Sequence, residues 1–319
     1  MTGIPSSKLV TVFGGSGFLG RHIVRALANG GWRIRVAVRK PNLAHFLTPM
    51  GRVGQIQLLK TNILREDSVR AALREADAAI NLVGILYQTG NQRFDSIHAE
   101  GAARIARLSS ELGVGRLLHV STLGADPEST SKYARSKAAG ERAVREAFPT
   151  ATILRPSVVF GPEDDFFNKF AWLARLSLVL PLIGGGRTRF QPVFVGDVAQ
   201  AAARVLSAPG SAGETFELGG PEIMTLKEIM ELVLKVTQRN RILMPVPYPL
   251  ARIQAAFLGM LPKPLLTLDQ VRLLQSDTVV SDGARGFRDL KITPEAAEAI
   301  IPSYLWRFRK QGQFEPAAS

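Results

Sequence analysis

The stretch VTVFGGSGFLG, from Val10 to Gly20, decides the fold of this chain. It reads as an apolar strand, a glycine-rich turn and the first turn of a helix, with glycines recurring every three residues. In a strand–turn–helix unit such glycines make a tight turn, admit a pyrophosphate close to the backbone and let helix and strand pack together. The phosphates then lie at the positive end of the helix. The stretch therefore predicts a dinucleotide-binding loop, whose expected contact residues are Gly14, Gly15, Ser16, Gly17, Phe18, Leu19 and Gly20.

The residues after the second predicted strand, Arg33–Val38, bear on which dinucleotide binds. A site for NAD usually places Asp or Glu there, about 20 residues beyond the loop, against the ribose hydroxyls. Here the position holds Arg39 and then Lys40, two cations that suit the additional 2′-phosphate of NADP(H). The alternative interpretation is a pair of solvated surface charges. The sequence favours NADP(H) over NAD(H).

Segments with strand and helix patterns alternate along the first half of the chain. In order they are Lys8–Phe13, Phe18–Ala28, Arg33–Val38, Gln55–Lys60, Arg65–Glu75, Ala78–Gly84, Ile97–Leu112, Arg116–Ser121, Lys132–Ala147 and Ala151–Pro156. Such alternation is typical of a doubly wound parallel sheet. We therefore predict an α/β Rossmann domain over 1–160 and a smaller C-terminal α/β lobe over 161–319, with 189–206 returning to the main sheet.

The composition is that of a soluble globular protein, with 46% hydrophobic and 21% charged residues among 319. The absence of cysteine excludes disulfides, thiolate catalysis and cysteine-ligated zinc. The four histidines follow no metal-binding pattern, so we expect no metal. No targeting peptide is visible at the N-terminus, and no apolar run reaches the roughly 18 residues of a membrane span.

The net charge of +13 points to an anionic neighbour, which could be nucleic acid, anionic lipid head groups or an acidic protein surface. The basic residues occur as single arginines along many elements, without the aromatic interleaving of an RNA-binding module, so we expect no nucleic acid. A basic surface without a partner is the alternative. The apolar segment Leu250–Leu261 is either a buried helix or a docking surface for a partner or the membrane interface.

The segment SKYARSKAAGE carries Tyr133 and Lys137 four residues apart, on one face of a predicted helix. Ser121 and Thr122 end the preceding strand. A lysine ammonium near the tyrosine favours the phenolate and is expected to lower the phenol pKa towards neutrality. The tyrosine can then exchange a proton with a substrate oxygen that the Ser or Thr hydroxyl polarises. Taken alone, a Tyr–Lys pair at this spacing is common on protein surfaces.

The motifs GGSGFLG, NLVG, HVST, YARSK and RPSVVFGP, in this order, resemble the extended or atypical, epimerase-like branch of the short-chain dehydrogenase/reductase superfamily. The resemblance implies a catalytic set of Tyr133, Lys137 and either Ser121 or Thr122, with the tyrosine and the lysine also near the cofactor. It further implies cofactor contacts from Asn62, Leu82, Val83, Gly84 and Pro156. His98 stands where many active relatives carry Asn. It either alters the proton relay beyond the lysine or is a buried residue with both ring nitrogens satisfied.

Longer stretches point to one subfamily: PMGRVGQIQLL, AAINLVGIL, SKYARSKAAGERAVREAFP, FGPEDDFFNKFA and LLTLDQVRLLQSDTVVS. They resemble the reductase-like, NADPH-binding accessory subunits of respiratory complex I. The resemblance implies a structural NADPH, little or no turnover, and other subunits of the peripheral arm as partners. It places the protein peripherally on the cytoplasmic side of the inner membrane, or on the matrix side if mitochondrial. The alternative is a free-standing NADP-dependent reductase or epimerase acting on a nucleotide sugar, a quinone or another carbonyl.

Overall fold

The computed structural model describes residues 8–90, 92–261, 264–310 and 312. Its strands are β1 (Leu9–Phe13), β2 (Arg33–Val38), β3 (Ile56–Lys60), β4 (Ala78–Asn81), β5 (Arg116–Val120), β6 (Thr152–Pro156), β7 (Val159–Phe160), β8 (Val179–Ile183), β9 (Arg189–Phe190), β10 (Val193–Phe194), β11 (Thr215–Leu218), β12 (Met224–Thr225) and β13 (Ile242–Val246).

The helices begin with the predicted one after the glycine loop. They are α1 (Phe18–Asn29), α2 (Glu66–Leu73), α3 (Gly101–Glu111), α4 (Lys132–Ala147), α5 (Phe167–Leu176), α6 (Val195–Ser207), α7 (Leu226–Thr237), α8 (Tyr248–Leu258), α9 (Leu268–Leu273), α10 (Ala297–Ile300) and α11 (Pro302–Leu305). A π-helical turn, Asp95–Glu100, leads directly into α3. Short 3₁₀ turns, Pro41–Leu43 and His45–Met50, lie between β2 and β3.

Seven strands form the main sheet, in the order β11-β6-β5-β4-β1-β2-β3. β1 pairs in parallel with β2 and β4, and the pairs β2–β3, β4–β5 and β5–β6 are parallel as well. Every residue of β1 is buried, which explains its unbroken apolar sequence: a central parallel strand has both faces covered by helices. The order reverses beside β1, where doubly wound sheets bind their ligands. The predicted α/β Rossmann fold is confirmed.

The chain divides into two compact units. The first comprises the described residues up to 155 together with 198–217 and 284–292, and it contains most of the main sheet. The predicted return of 189–206 to that sheet is wrong for its strands, since β9 pairs with β12 and β10 with β7. Pro192, which lacks an N–H, separates these two-residue strands. The chain returns through α6, and β11 supplies the seventh strand.

The second unit comprises 156–197, 218–283 and the described residues from 293 onwards. Its core packs aromatic side chains of β7, α5 and β9 against α7, including Phe160, Phe167 and Phe190. α8 occupies most of the apolar segment Leu250–Leu261, and only Ala251 and Ala255 of the helix are buried. Within the described ranges, no helix is long and apolar enough to cross a membrane.

Candidate functional site

The glycine loop joins β1 to α1 with the geometry that the sequence predicts. Gly14 has a positive φ of 81°, which side-chain-bearing residues rarely adopt, and the N–H of Gly17 donates to its carbonyl oxygen at 3.0 Å. A Cβ atom at Gly20 would lie 2.4 Å from that same oxygen and 2.7 Å from the backbone of Gly15. The first turn of α1 therefore sits directly on the loop, an approach that only glycine permits.

This loop fits a dinucleotide diphosphate. The first N–H groups of a helix have no partner inside it, and α1 starts at Phe18 without a capping side chain. Its first turn holds no acidic residue that would repel a phosphate. Gly14, Gly15, Ser16, Gly17, Phe18, Leu19 and Gly20 together form the turn and the helix start.

The end of β2 carries the two predicted cations. Arg39 and Lys40 are exposed, and Nη1 of Arg39 donates to Oε1 of Gln92 at 2.9 Å. Gln92 lies in a loop more than 50 residues further along the chain. No sequence pattern predicts that it would contact Arg39. Asn62, predicted at the end of β3, is exposed and uses its side-chain oxygen to accept from the N–H of Leu64.

The end of β4 lies against the glycine loop. The predicted strand Ala78–Gly84 stops at Asn81, because the buried Oδ1 of that residue accepts from the N–H of Val83 at 3.1 Å and turns the chain. The N–H of Leu82 donates to Phe13 at the end of β1. A Cβ atom at Gly14 would be 3.3 Å from Leu82 and Val83. Leu82 and Val83 thus line the same space as the loop.

α4 begins at Lys132, where the hydroxyl of Ser131 accepts from the N–H of Ala134. One turn of this helix carries Tyr133 and Lys137. Nζ of the buried lysine donates to the carbonyl oxygen of Val120 at 2.9 Å. Burial lowers the pKa of Lys137 to about 8, against the opposing attraction of the Glu141 carboxylate. The lysine is therefore tied to the end of β5.

The expectation of a lowered tyrosine pKa is wrong for this structure. Burial raises the pKa of Tyr133 to about 12, so its phenol is protonated at neutral pH. The spacing of Tyr133 and Lys137 shows that they share a helix face, but it does not show how far burial disfavours the phenolate.

The two candidate hydroxyls at the end of β5 differ in their surroundings. Ser121 is buried, and its Oγ has no hydrogen-bond partner within the described part of the chain. Thr122 is partly exposed. A buried hydroxyl without a partner is uncommon, and such a group at a ligand site is available to a ligand oxygen. Ser121 is the better placed of the two.

His98 occupies the π-helical turn beside the tyrosine. Its Nε2 accepts from the N–H of Ile85 at 3.0 Å, and its Nδ1 lies 2.8 Å from Oγ of Ser136. Because that hydroxyl donates its single proton to the carbonyl oxygen of Tyr133, Nδ1 must carry a proton and donate to it. Burial, followed by the charge of Lys137, lowers the pKa of His98 to about 3. The imidazole is therefore neutral and has both nitrogens satisfied, as one of the two interpretations predicts.

Aromatic contacts complete this side of the site. The ring of Phe94 stacks on His98 at 5.5 Å between centroids, and His98 meets Tyr133 edge to face at 5.4 Å. Phe94 and Ser136 were missed by sequence reasoning: Phe94 belongs to no motif, and the motif YARSK contains Ser136 but draws attention to its tyrosine and lysine. Helical spacing could have indicated Ser136, which lies three residues after Tyr133 and one before Lys137.

A charged cluster joins α4 to β6 and β11 in the first unit. Nε and Nη2 of Arg155 both donate to the carboxylate of Glu141, with Nη2 2.7 Å from Oε2. Nη1 of Arg155 donates to Oε1 of Glu217 over a longer distance of 3.4 Å. These contacts raise the pKa of Arg155. The guanidinium neutralises two carboxylates that are each more than 90% buried. Pro156, a predicted cofactor residue, follows Arg155 at the end of β6 and is buried.

Comparison with known sequences identifies the group to which this geometry corresponds. Residues 10–219 match the sequence model of the NAD dependent epimerase/dehydratase family. The mitochondrial NADH dehydrogenase (ubiquinone) 1 alpha subcomplex subunit 9 of Arabidopsis thaliana is 38% identical over 319 residues. The match covers 96% of this chain and 79% of that protein.

Two solved structures share the fold. Triphenylmethane reductase of Citrobacter sp., complexed with NADP(H), has a TM-score of 0.73 and 18% identity, and the match covers 92% of this chain and 99% of that one. The dTDP-glucose 4,6-dehydratase DesIV of Streptomyces venezuelae, with NAD bound, has a TM-score of 0.73 and 20% identity, with coverage of 97% and 100%. At this level of identity the likeness concerns the fold alone. One structure holds NAD and the other NADP(H).

Proposed function

The chain belongs to the NAD dependent epimerase/dehydratase family, and from that premise we propose that it is an accessory subunit of respiratory complex I that holds NADP(H) as a structural cofactor. The observation that most directly supports this proposal is the similarity to a complex I subunit along almost the whole chain, at 38% identity over 96% of its length. The intact glycine loop supports a bound dinucleotide. The cations Arg39 and Lys40, in place of a carboxylate, support NADP(H) over NAD(H).

The surroundings of the tyrosine support a structural role over turnover. The phenol of Tyr133 has a pKa of about 12, and the ammonium of Lys137 is bonded to the backbone of β5. His98 is neutral, and both of its ring nitrogens are hydrogen-bonded to other groups of the protein. Neither the phenol of Tyr133 nor the imidazole of His98 titrates near neutral pH, and the ammonium of Lys137, whose pKa of about 8 lies nearest to neutrality, is engaged by the backbone. The bound dinucleotide instead stabilises the fold: a ligand at 100 times its Kd adds about 2.7 kcal/mol.

The proposed partners are other subunits of the peripheral arm. The proposed position is peripheral, on the cytoplasmic side of the inner membrane or on the matrix side in a mitochondrion. α8 and the residues after it supply an apolar surface that supports a place near the membrane: Ile253, Phe257 and Met260 are 58%, 71% and 82% exposed. Such a surface fits the interfacial zone, where anionic head groups meet the acyl chains.

The test separates cofactor binding from chemistry. Tyr133→Phe removes the phenol oxygen, and Gly20→Ala disturbs the loop. Both variants are expressed in cells that lack the native protein. Complex I assembly is followed on native gels, and the nucleotide released by denaturation is identified by mass.

We expect Tyr133→Phe to retain NADP(H) and assembled complex I, and Gly20→Ala to lose both. Recovery of NAD(H) without NADP(H) would refute the cofactor assignment. Normal assembly in cells that lack the protein altogether would refute the accessory role.

A second candidate is a free-standing NADP-dependent reductase or epimerase acting on a nucleotide sugar, a quinone or another carbonyl. The observation in its favour is the buried Oγ of Ser121, which has no partner in the described part of the chain and directly follows Val120, the residue to which Lys137 is bonded. A ligand oxygen could satisfy it. NADPH oxidation that depends on one added substrate and disappears in Tyr133→Phe would establish this activity. NADPH oxidation that persists in Tyr133→Phe would count against it.

A further inference from the structure

We infer that the outer face of the first β–α–β unit is a docking surface for an acidic protein partner. The primary observation is an asymmetry in the sequence. The first 65 residues hold ten of the chain's 40 Lys and Arg and none of its 27 Asp and Glu. Their net charge of +10 accounts for most of the total of +13. The basic residues are dispersed along the chain, as the sequence shows, and the asymmetry arises because this part lacks acidic residues. The inference rests on the proposed function, because the partner is taken to be another subunit.

The surface consists of the outer side of α1 and the 39–53 connection between β2 and β3. We call it the basic face; its exposed residues include Arg25, Arg39, Lys40, Leu43, Arg52 and Val53. Two contacts join its parts. The guanidinium carbon of Arg21, in the first turn of α1, lies 4.9 Å from the centre of the Phe46 ring. Nε2 of Gln55 donates to the carbonyl oxygen of Ala28 at 2.8 Å, near the other end of the helix. The helix and the connection therefore present one continuous surface.

Apolar side chains lie among these cations. Val53 is fully exposed, Leu43 is 66% exposed and Phe46 is 42% exposed. Large apolar side chains in water are unfavourable, and together they suggest a covered contact. Protein interfaces combine such an apolar centre with a polar, charged rim. The basic face has this composition and fits a partner that presents carboxylates around apolar side chains.

The cofactor accounts for only part of this charge. Arg39 and Lys40 lie at the end of β2, where a 2′-phosphate would be bound. Arg35 donates to the carbonyl oxygens of Ala72 and Arg74 and serves the fold. Arg25 and Arg52 belong to neither group. Their positive charges are left for a negatively charged partner outside the chain.

The composition favours a protein over RNA or a membrane. Seven of the ten cations are arginine, whose planar guanidinium pairs with carboxylates and which is enriched in protein interfaces. An RNA surface would offer open aromatic rings for stacking, whereas one face of the partly exposed Phe46 ring is occupied by the guanidinium of Arg21. The long apolar segment suited to a membrane, Leu250–Leu261, lies in the second unit.

The experiment compares two charge reversals of equal size on the tagged full chain. Arg25→Glu combined with Arg52→Glu alters the basic face and spares the glycine loop, Arg39 and Lys40. Lys235→Glu combined with Arg288→Glu, at two exposed cations elsewhere, is the matched control. Each protein is recovered from detergent-solubilised membranes of its native host, and the complex I subunits that accompany it are quantified by mass. Thermal unfolding and bound nucleotide are measured in parallel.

We expect about tenfold less of the other subunits with the basic-face variant and wild-type recovery with the control, since reversed charges at an interface repel the intended partner. Equal recovery with the two variants would overturn the docking surface and leave the proposed function intact. Absence of complex I subunits from the wild-type sample would overturn both. If the double variant unfolds at a lower temperature, Val53→Asp replaces it, because that side chain makes no buried contact.

Two further measurements address the competing ligands. Wild-type protein is mixed with vesicles of phosphatidylcholine containing phosphatidylglycerol, and separately with a single-stranded RNA oligonucleotide, at physiological salt. Binding to either that is lost in the basic-face variant and kept in the control would overturn an acidic protein as the partner. Equal behaviour of the two variants in both assays supports it.

Discussion

Replacing Gly20 by alanine tests the contact between α1 and the glycine loop. The new Cβ atom would lie 2.4 Å from the carbonyl oxygen of Gly14 and 2.7 Å from the backbone of Gly15. Favourable contacts begin near about 3.5 Å, so the methyl group is about 1 Å too close to atoms that cannot rotate away. Overpacking of this kind costs about 1–3 kcal/mol, and the better helix propensity of alanine returns at most about 1 kcal/mol. We expect a net loss of about 1–2 kcal/mol in the unfolding free energy without nucleotide.

The effect on the bound form is larger. Relief of the overlap moves α1 away from the loop, and with it the N–H groups that would hold the diphosphate. A protein saturated at 100 times its Kd then also loses about 2.7 kcal/mol of ligand stabilisation. Urea unfolding with and without NADPH measures both quantities, and quenching of protein fluorescence gives the affinity.

Gly30→Ala at the other end of the same helix is the matched control. Its φ is −77°, and the nearest atoms to a new Cβ lie at 3.4 Å or beyond. We expect this variant to bind NADPH like the wild type. The reasoning is refuted if Gly20→Ala binds NADPH with unchanged affinity, or if Gly30→Ala weakens binding as much.

Three further predictions concern charge. Arg39→Glu should weaken NADPH binding at least about tenfold and leave NADH binding nearly unchanged, as titration with each nucleotide would show; equal weakening of both contradicts the 2′-phosphate assignment. Arg155→Ala removes the guanidinium that pairs with Glu141 and Glu217 and should cost about 2–3 kcal/mol in urea unfolding, less than a fully buried pair because the guanidinium is 30% exposed. His98→Gln should flatten the dependence of stability on pH. The folded pKa of about 3 lies below the unfolded value of 6.5, so wild-type stability falls as pH drops below 6.5, by about 2 kcal/mol at pH 5. Identical Tm profiles of the two proteins between pH 5 and 7 would contradict this.

Local signals made the first unit predictable. The bounds of β2 and α4 match the sequence expectation, because alternating apolar residues mark the strand and Ser131 caps the helix. The position of the glycine loop and the start of α1 follow from the motif itself. Where the pattern lies within about ten residues, the sequence contains what the backbone needs.

The parts that escaped prediction depend on distant residues. Gln92 holds Arg39 from 53 positions away, and Arg155 reaches Glu217 across 62. The pKa of Tyr133 depends on how deeply the ring is buried, which no neighbouring residue reveals. A motif thus indicates which side chains lie close together. Their pKa values depend on burial, which is determined by the packing of the whole chain.

The π-helical turn Asp95–Glu100 makes the length of this segment part of the site. A π-helical turn closes its hydrogen bonds over one more residue than an α-helical turn. Deleting a single residue from it would restore the ordinary pitch, and the tighter winding would nearly compensate for the lost residue, so the chain on either side would keep its orientation. The bulge itself, in which His98 contacts Ser136 and Tyr133, would be lost. Relatives can therefore be sorted by whether they keep this inserted residue, and a one-residue deletion there would displace His98 while every motif around it remained unchanged.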